Sequence, residues 1–255
     1  VPPAHYSEPR LSPDGSRVAV GSGDSSEAAI WIADVSGATS ARRLTFEGAN
    51  RHPVWSADST RVTFTSKRGD DSSVFWQRAD GTGTAEQLTH AEKGTAHIPQ
   101  SWSPDGQHLL FDVVDVVKNA VSLWSYSPRE KTPVQIPIDA SHVPTGGLFS
   151  PDGRWIAYTI QPSGRANAMV YVQPFPPTGV KFLVSPIDED GHHHVWSRDG
   201  RDLFYTPGPG NRLQRVGITL APSLQFTEPA TIARRFTNGP PWSSRTYDIA
   251  RDGRL

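Results

Sequence analysis

The stretch WSPDGQHLLF, Trp102–Phe111, is written again, little changed, as FSPDGRWIAY (Phe149–Tyr158) and as WSRDGRDLFY (Trp196–Tyr205). With the serine as anchor, the copies start at Ser12 (SPDG), Ser56 (SADS), Ser103 (SPDG), Ser150 (SPDG) and Ser197 (SRDG). A sixth, degenerate copy (ARDG) starts at Ala250. Subtracting successive positions gives spacings of 44, 47, 47, 47 and 53. A period of this size with strand-type content belongs to the four-stranded blade of a β-propeller.

Each copy reads as four short strands. A large apolar residue, Leu11, Trp55, Trp102, Phe149, Trp196 or Ile249, closes the innermost strand just before the anchor. The S-P-D-G tetrapeptide is a tight turn, because proline presets φ, aspartate bonds nearby amides and glycine accepts positive φ. A second strand follows (RVAVGS, RVTFTS, HLLFDV, WIAYTI, DLFYTP), then a third (AAIWIADV, SVFWQRAD, VSLWSYS, MVYVQPF, LQRVGIT) and a weaker outer one. Runs of Val, Ile, Phe, Tyr and Trp bounded by Gly, Pro and Asp have the composition of strands. The recurring tryptophans are expected to pack between blades, and the five turn aspartates to serve the turns rather than catalysis. The expected fold is therefore all-β: one propeller domain over residues 1–255, with four-stranded antiparallel blades, five full repeats and a partial sixth.

Composition narrows the function. A net charge of -1 and the lack of a basic stripe argue against a nucleic-acid partner. No apolar run is long enough to insert into a membrane. Cysteine is absent, which removes disulfides, thiolate nucleophiles and Cys-ligated zinc. There is no G-x-S-x-G elbow and no H-E-x-x-H pair. GSGDS (Gly21–Ser25) falls in a loop between strands, and DGTGTAEQ (Asp80–Gln87) reads as a turn.

The repeats resemble the TolB-type β-propeller family, with its W-S-P-D-G-x-x-I-A-F pattern. ANRHPVWSADSTRVTF follows that pattern from Asn50 onward. FSPDGRWIAYTIQPSGRANAMVYVQPFP and HHHVWSRDGRDLFY resemble the propeller segments attached to bacterial serine/threonine kinases. The resemblance implies six blades, a ligand site at the axial channel face, and use as a scaffold, a sensor or the propeller half of a prolyl-oligopeptidase-like enzyme. Five full copies and a truncated sixth lead us to expect a fragment of a longer polypeptide, or a ring that associates with itself through the incomplete blade.

The segments just before the inner strands are where specificity can sit. Four of the five contain histidine, and His52 and His193 both lie four residues before their anchors. His52, His97, His193, Arg51, Arg245 and Tyr247 are the candidate ligand-binding residues of the channel mouth. Imidazoles converging on an axis suit a divalent metal, with Glu189 or Asp190 completing the shell of His52, His97 and His193. Strict strand alternation sends His193 to the side opposite His192 and His194. The expected function is a non-enzymatic module that needs no cofactor and binds a protein or small-molecule ligand, within a larger bacterial sensor or envelope protein in a periplasmic or other extracytoplasmic place. The alternatives are a metal-dependent propeller lyase or hydrolase using these histidines, and the propeller of a peptidase whose catalytic domain lies elsewhere.

Overall fold

In the computed structural model, the described residues are 6–23, 27–139, 142–162, 167–208, 212–219, 223–233, 243 and 245–249. The chain packs as two compact units, Val1–Val134 and Gln135–Leu255.

The first unit carries three antiparallel sheets. The first sheet is formed by β1 (Tyr6–Leu11), β2 (Arg17–Ser22), β3 (Ala29–Asp34) and β4 (Arg42–Arg43); the second by β5 (Ala49–Trp55), β6 (Arg61–Arg68), β7 (Asp71–Arg78) and β8 (Glu86–Gln87). The third has β9 (Thr95–Trp102), β10 (Leu109–Asp115), β11 (Ala120–Tyr126) and β12 (Pro133–Gln135). In the second unit the fourth sheet joins β13 (His142–Phe149), β14 (Trp155–Pro162), β15 (Met169–Pro174) and β16 (Phe182–Leu183). The fifth contains β17 (His192–Trp196), β18 (Asp202–Thr206), β19 (Arg212–Thr219), β20 (Gln225–Phe226) and β21 (Ala230–Ala233). Its outer position is shared: Ile218 and Thr219 pair with β20, while Arg212–Arg215 pair with β21.

The architecture is an all-β propeller of four-stranded blades, but five blades are present among the described residues, not five and a partial sixth. The turn anchored at Ala250 lies outside the described residues. Arg245–Ile249, expected to open a sixth blade, form no strand. A strand exists through its ladder, whereas in this segment the Ile249 amide donates to Asp248 Oδ1 at 2.9 Å and the carbonyls of Tyr247 and Ile249 accept from the side chains of Arg245 (2.7 Å) and Arg198 (3.2 Å). Tyr247 and Ile249 bury their side chains against Val195 and Leu213 of the fifth sheet.

The anchor hairpin is built alike in all five blades. In the third, Ser103 Oγ donates to Asp105 Oδ1 at 2.5 Å, the Gln107 amide donates to the same oxygen, and the His108 amide donates to Ser103 Oγ. These bonds, led by the Ser103 hydroxyl, hold the Asp105 carboxyl below the usual range. At Asp14 burial alone acts upward, but Ser12, Ser16 and Arg17 outweigh it and bring the carboxyl down to about 2. The fourth turn residue has positive φ: Gly106 at 69°, and Ser59 at 60° in the degenerate SADS copy. Ser59 is not idle there. Its Oγ accepts the Asp14 amide at 3.1 Å and its carbonyl accepts Arg17 Nη2 at 2.6 Å, which ties the first hairpin to the second.

Tryptophan secures blade to blade within each unit. Trp55 Nε1 donates to the Arg10 carbonyl (2.8 Å), Trp102 Nε1 to Thr63 Oγ1 (2.8 Å) and Trp196 Nε1 to the Leu148 carbonyl (3.3 Å). Each indole also lies in an apolar cluster spanning two sheets. Burial of one such ring contributes on the order of 3 kcal/mol.

Candidate functional site

Four residues before the anchor, the inner strand departs from alternation. Glu8 and Pro9 together oppose Val20, His52 and Pro53 oppose Phe64, Gly146 and Gly147 oppose Tyr158, and His193 and His194 oppose Tyr205. These are β-bulges, two residues against one. The first residue of each pair is left-handed: φ is 56° at Glu8, 56° at His52, 74° at Gly146 and 52° at His193. The third blade has Pro99 at this offset. Its ring fixes φ near −65°, and there the register shifts around Gln100 instead. The shared offset of His52 and His193 is thus a backbone feature, and Glu8 is its equivalent in the first blade.

In the first unit the bulges of the first two blades meet. Glu8 accepts the His52 amide at 2.7 Å, and its other oxygen lies 2.7 Å from His52 Nδ1, an ion pair when the imidazole is protonated. Arg51 sits beside this pair on β5, opposite Thr65. His97 is buried between the second and third sheets. Its Nδ1 is hydrogen-bonded to Thr89 Oγ1 at 2.8 Å, its carbonyl accepts Thr65 Oγ1 at 2.8 Å, and its ring packs 5.2 Å from Phe111. Burial pulls this imidazole down to about 4. Asp112, also buried, accepts Gln100 Nε2 at 2.7 Å.

In the second unit His193, Arg245 and Tyr247 come together as a clamp on the fifth-blade bulge. Tyr247 OH donates to the His193 carbonyl at 2.5 Å, Arg245 Nη1 to the His194 carbonyl at 2.9 Å, and His193 Nε2 to the Ser243 carbonyl at 2.7 Å. Burial pushes the Tyr247 phenol up to about 12. The bulge overrides the expected alternation of the three histidines, and all three are buried. His192 Nδ1 is 3.4 Å from Asp190 Oδ2 and its ring lies 4.5 Å from that of His193. His194 Nδ1 is hydrogen-bonded to Thr159 Oγ1 at 3.2 Å; burial, assisted by the Arg245 charge, brings its imidazole down to about 3.

Of the predicted residues, the structure brings together His193, Arg245 and Tyr247, and places Arg51 next to His52. Among the described residues no group of three or more His, Asp or Glu side chains is arranged to hold a metal ion. Nor is any helix long and apolar enough to cross a membrane.

The first unit carries a feature that the reading by motif missed. On the face where its inner strands begin, a cleft of about 730 Å³ opens between the first and second blades. It is lined by Glu27, Arg43, Phe46, Gly48, Ala49, Lys67 and Gly69. Phe46 follows the outer strand and is 73% exposed, with the Arg43 guanidinium 5.3 Å from its ring centroid. In sequence, Phe46 has the same look as an aromatic core residue, so nothing marked it as surface.

Repeated four-stranded blades with bulged inner strands define a β-propeller. A family model described as the TolB beta propeller domain matches residues 2–132, and the chain belongs to that family. Among curated proteins it is similar to the uncharacterized peptidase YuxL of Bacillus subtilis (strain 168), with 30% identity over 112 residues, 42% of this chain and 17% of that protein. Among solved structures it is similar to TolB from Acinetobacter baumannii (22% identity, TM-score 0.67), covering 91% of this chain and 55% of that one. A Mycobacterium tuberculosis puromycin-hydrolyzing peptidase matches with 15% identity and TM-score 0.65, over 91% of this chain and 38% of that one. The chain thus spans about a sixth of the curated relative and about half of the TolB structure.

Proposed function

We propose that this chain is a non-catalytic binding propeller that recognises a protein segment or small ligand on the face where its inner strands begin. The observation that carries the reading is the cleft between the first two blades. Its volume lies in the range of ligand sites, and its lining mixes an exposed aromatic ring with charged side chains. The histidines first considered as metal ligands are engaged elsewhere: His52 with Glu8, His97 with Thr89, His193 with Ser243. This favours the binding module over the metal-dependent lyase. A second reading, the propeller of a larger peptidase, draws support from the likeness to the two peptidases named above. In that case the same face would sort peptides for a catalytic domain outside this sequence.

Selection from a random peptide library on the immobilised protein tests the proposal. With no native cysteine, Lys67→Cys can be alkylated at that one place with a bulky maleimide. Selected peptides should lose at least about tenfold in affinity on the blocked protein, which is about 1.4 kcal/mol. Binders indifferent to the block, or cleavage of the peptides by this chain alone, would contradict the reading.

A further inference from the structure

We infer that the cleft between the first two blades takes an acidic peptide segment. This rests on the binding reading above and names its ligand. Among the described residues three charged side chains line the cleft, two of them cations, Arg43 and Lys67, and one a carboxylate, Glu27. None of the three forms an ion pair among the described residues, whereas the neighbouring Arg68 is neutralised by Glu47 at 3.4 Å. Arg43 is pre-positioned: its Nε donates to the Thr45 carbonyl at 2.7 Å, and the guanidinium stands over the Phe46 ring. A guanidinium oriented in this way presents its remaining N–H groups to a carboxylate, and the exposed ring beside it takes an apolar side chain.

A second observation points to a ligand with a backbone. Phe46 is also a wall of a smaller cavity of about 170 Å³, lined among others by Asn50, Gln77 and Phe64. Asn50 is fully buried, with its Nδ2 donating to the carbonyls of Glu47 and Gly48 at 3.0 Å each. Among the described residues its Oδ1 accepts no hydrogen bond. A buried acceptor left open beside an exposed aromatic wall suits an N–H donor brought in when the ring turns aside. Carboxylates on Arg43 and Lys67, an apolar side chain on Phe46 and an N–H toward Asn50 are together the features of an acidic, extended peptide.

Fluorescence anisotropy with a fluorescein-labelled peptide, Glu-Glu-Phe-Glu-Glu, tests this, with Gln-Gln-Phe-Gln-Gln and Lys-Lys-Phe-Lys-Lys as comparisons. The acidic peptide should bind at least about tenfold more tightly than the neutral one, and weaken as salt shortens the screening length. Arg43→Gln with Lys67→Gln should remove that preference, Glu27→Gln should strengthen binding, and circular dichroism should confirm that both proteins fold. Equal binding of the neutral or basic peptide, no binding of the acidic one, or unchanged affinity in the double variant would overturn the inference. If library peptides sensitive to the cleft block prove neutral or basic, the ligand class is wrong and the binding reading stands. If no peptide responds to the block, both fall.

Discussion

Tyr247→Phe isolates the clamp on the fifth-blade bulge. The substitution keeps the ring packed on Val195, Leu213 and Ile249 and deletes one hydroxyl, which donates to the His193 carbonyl at 2.5 Å. That carbonyl sits in a left-handed bulge whose geometry depends on outside partners, and a buried acceptor deprived of its donor costs about 1–3 kcal/mol. With about 2 kcal/mol lost, thermal denaturation followed by circular dichroism should show Tm lower by roughly 4–8 °C. The pH dependence adds an independent reading. Burial raises the phenol to about 12 in the folded chain, above its ordinary value of 10. Its contribution is therefore complete below pH 10 and is lost as pH rises from 10 through 12. Tyr158 and Tyr205 are raised by burial in the same sense, so alkaline destabilisation persists in the variant but is smaller. A Tm change under about 1 °C, or an unchanged alkaline slope, would refute the assignment of Tyr247 as a structural clamp.

Other consequences follow from the same geometry. His97 is depressed from 6.5 to about 4 by burial, so its contribution is present above pH 6.5 and disappears as pH falls through 4; the loss is about 3 kcal/mol, read as Tm against pH, and His194 adds to it nearer pH 3. Trp102→Ala should cost about 3–5 kcal/mol in urea denaturation. Trp102→Phe loses mainly the bond to Thr63 and should cost about 1–2 kcal/mol, since the fourth blade already carries Phe149 at this position. Gly146→Ala meets His194 Cε1 at an ordinary 3.4 Å, so the expense is that of φ at 74°, about 1–2 kcal/mol by the same assay.

The hairpins were legible because their chemistry is local. Serine, aspartate and a residue tolerant of positive φ lie within four positions and bond one another, so the letters recur with the geometry. The tryptophans were legible for a related reason, since each blade must face the next. The bulges were not. Glu8, His52 and His193 share an offset but not a residue type, and their left-handed φ depends on the facing strand rather than on their own preference. Alternation, the rule used to orient the triple histidine, fails where two residues oppose one. Blade number failed because Tyr247–Ile249 match the pattern of an inner strand, while a strand also needs a ladder partner. The cleft was hidden for a further reason: Arg43, Phe46 and Lys67 belong to two blades, and no spacing in one repeat announces their meeting.

The central claim is that recognition belongs to the cleft of the first two blades, while the histidine, arginine and tyrosine of the bulges hold the frame. Amide chemical-shift mapping with a library-selected peptide, on isotope-labelled protein, tests it most directly. The account predicts perturbations centred on Glu27, Arg43 to Ala49 and Lys67 to Gly69. Perturbations centred on His192 to His194 and Arg245 to Tyr247, with the cleft silent, would contradict it.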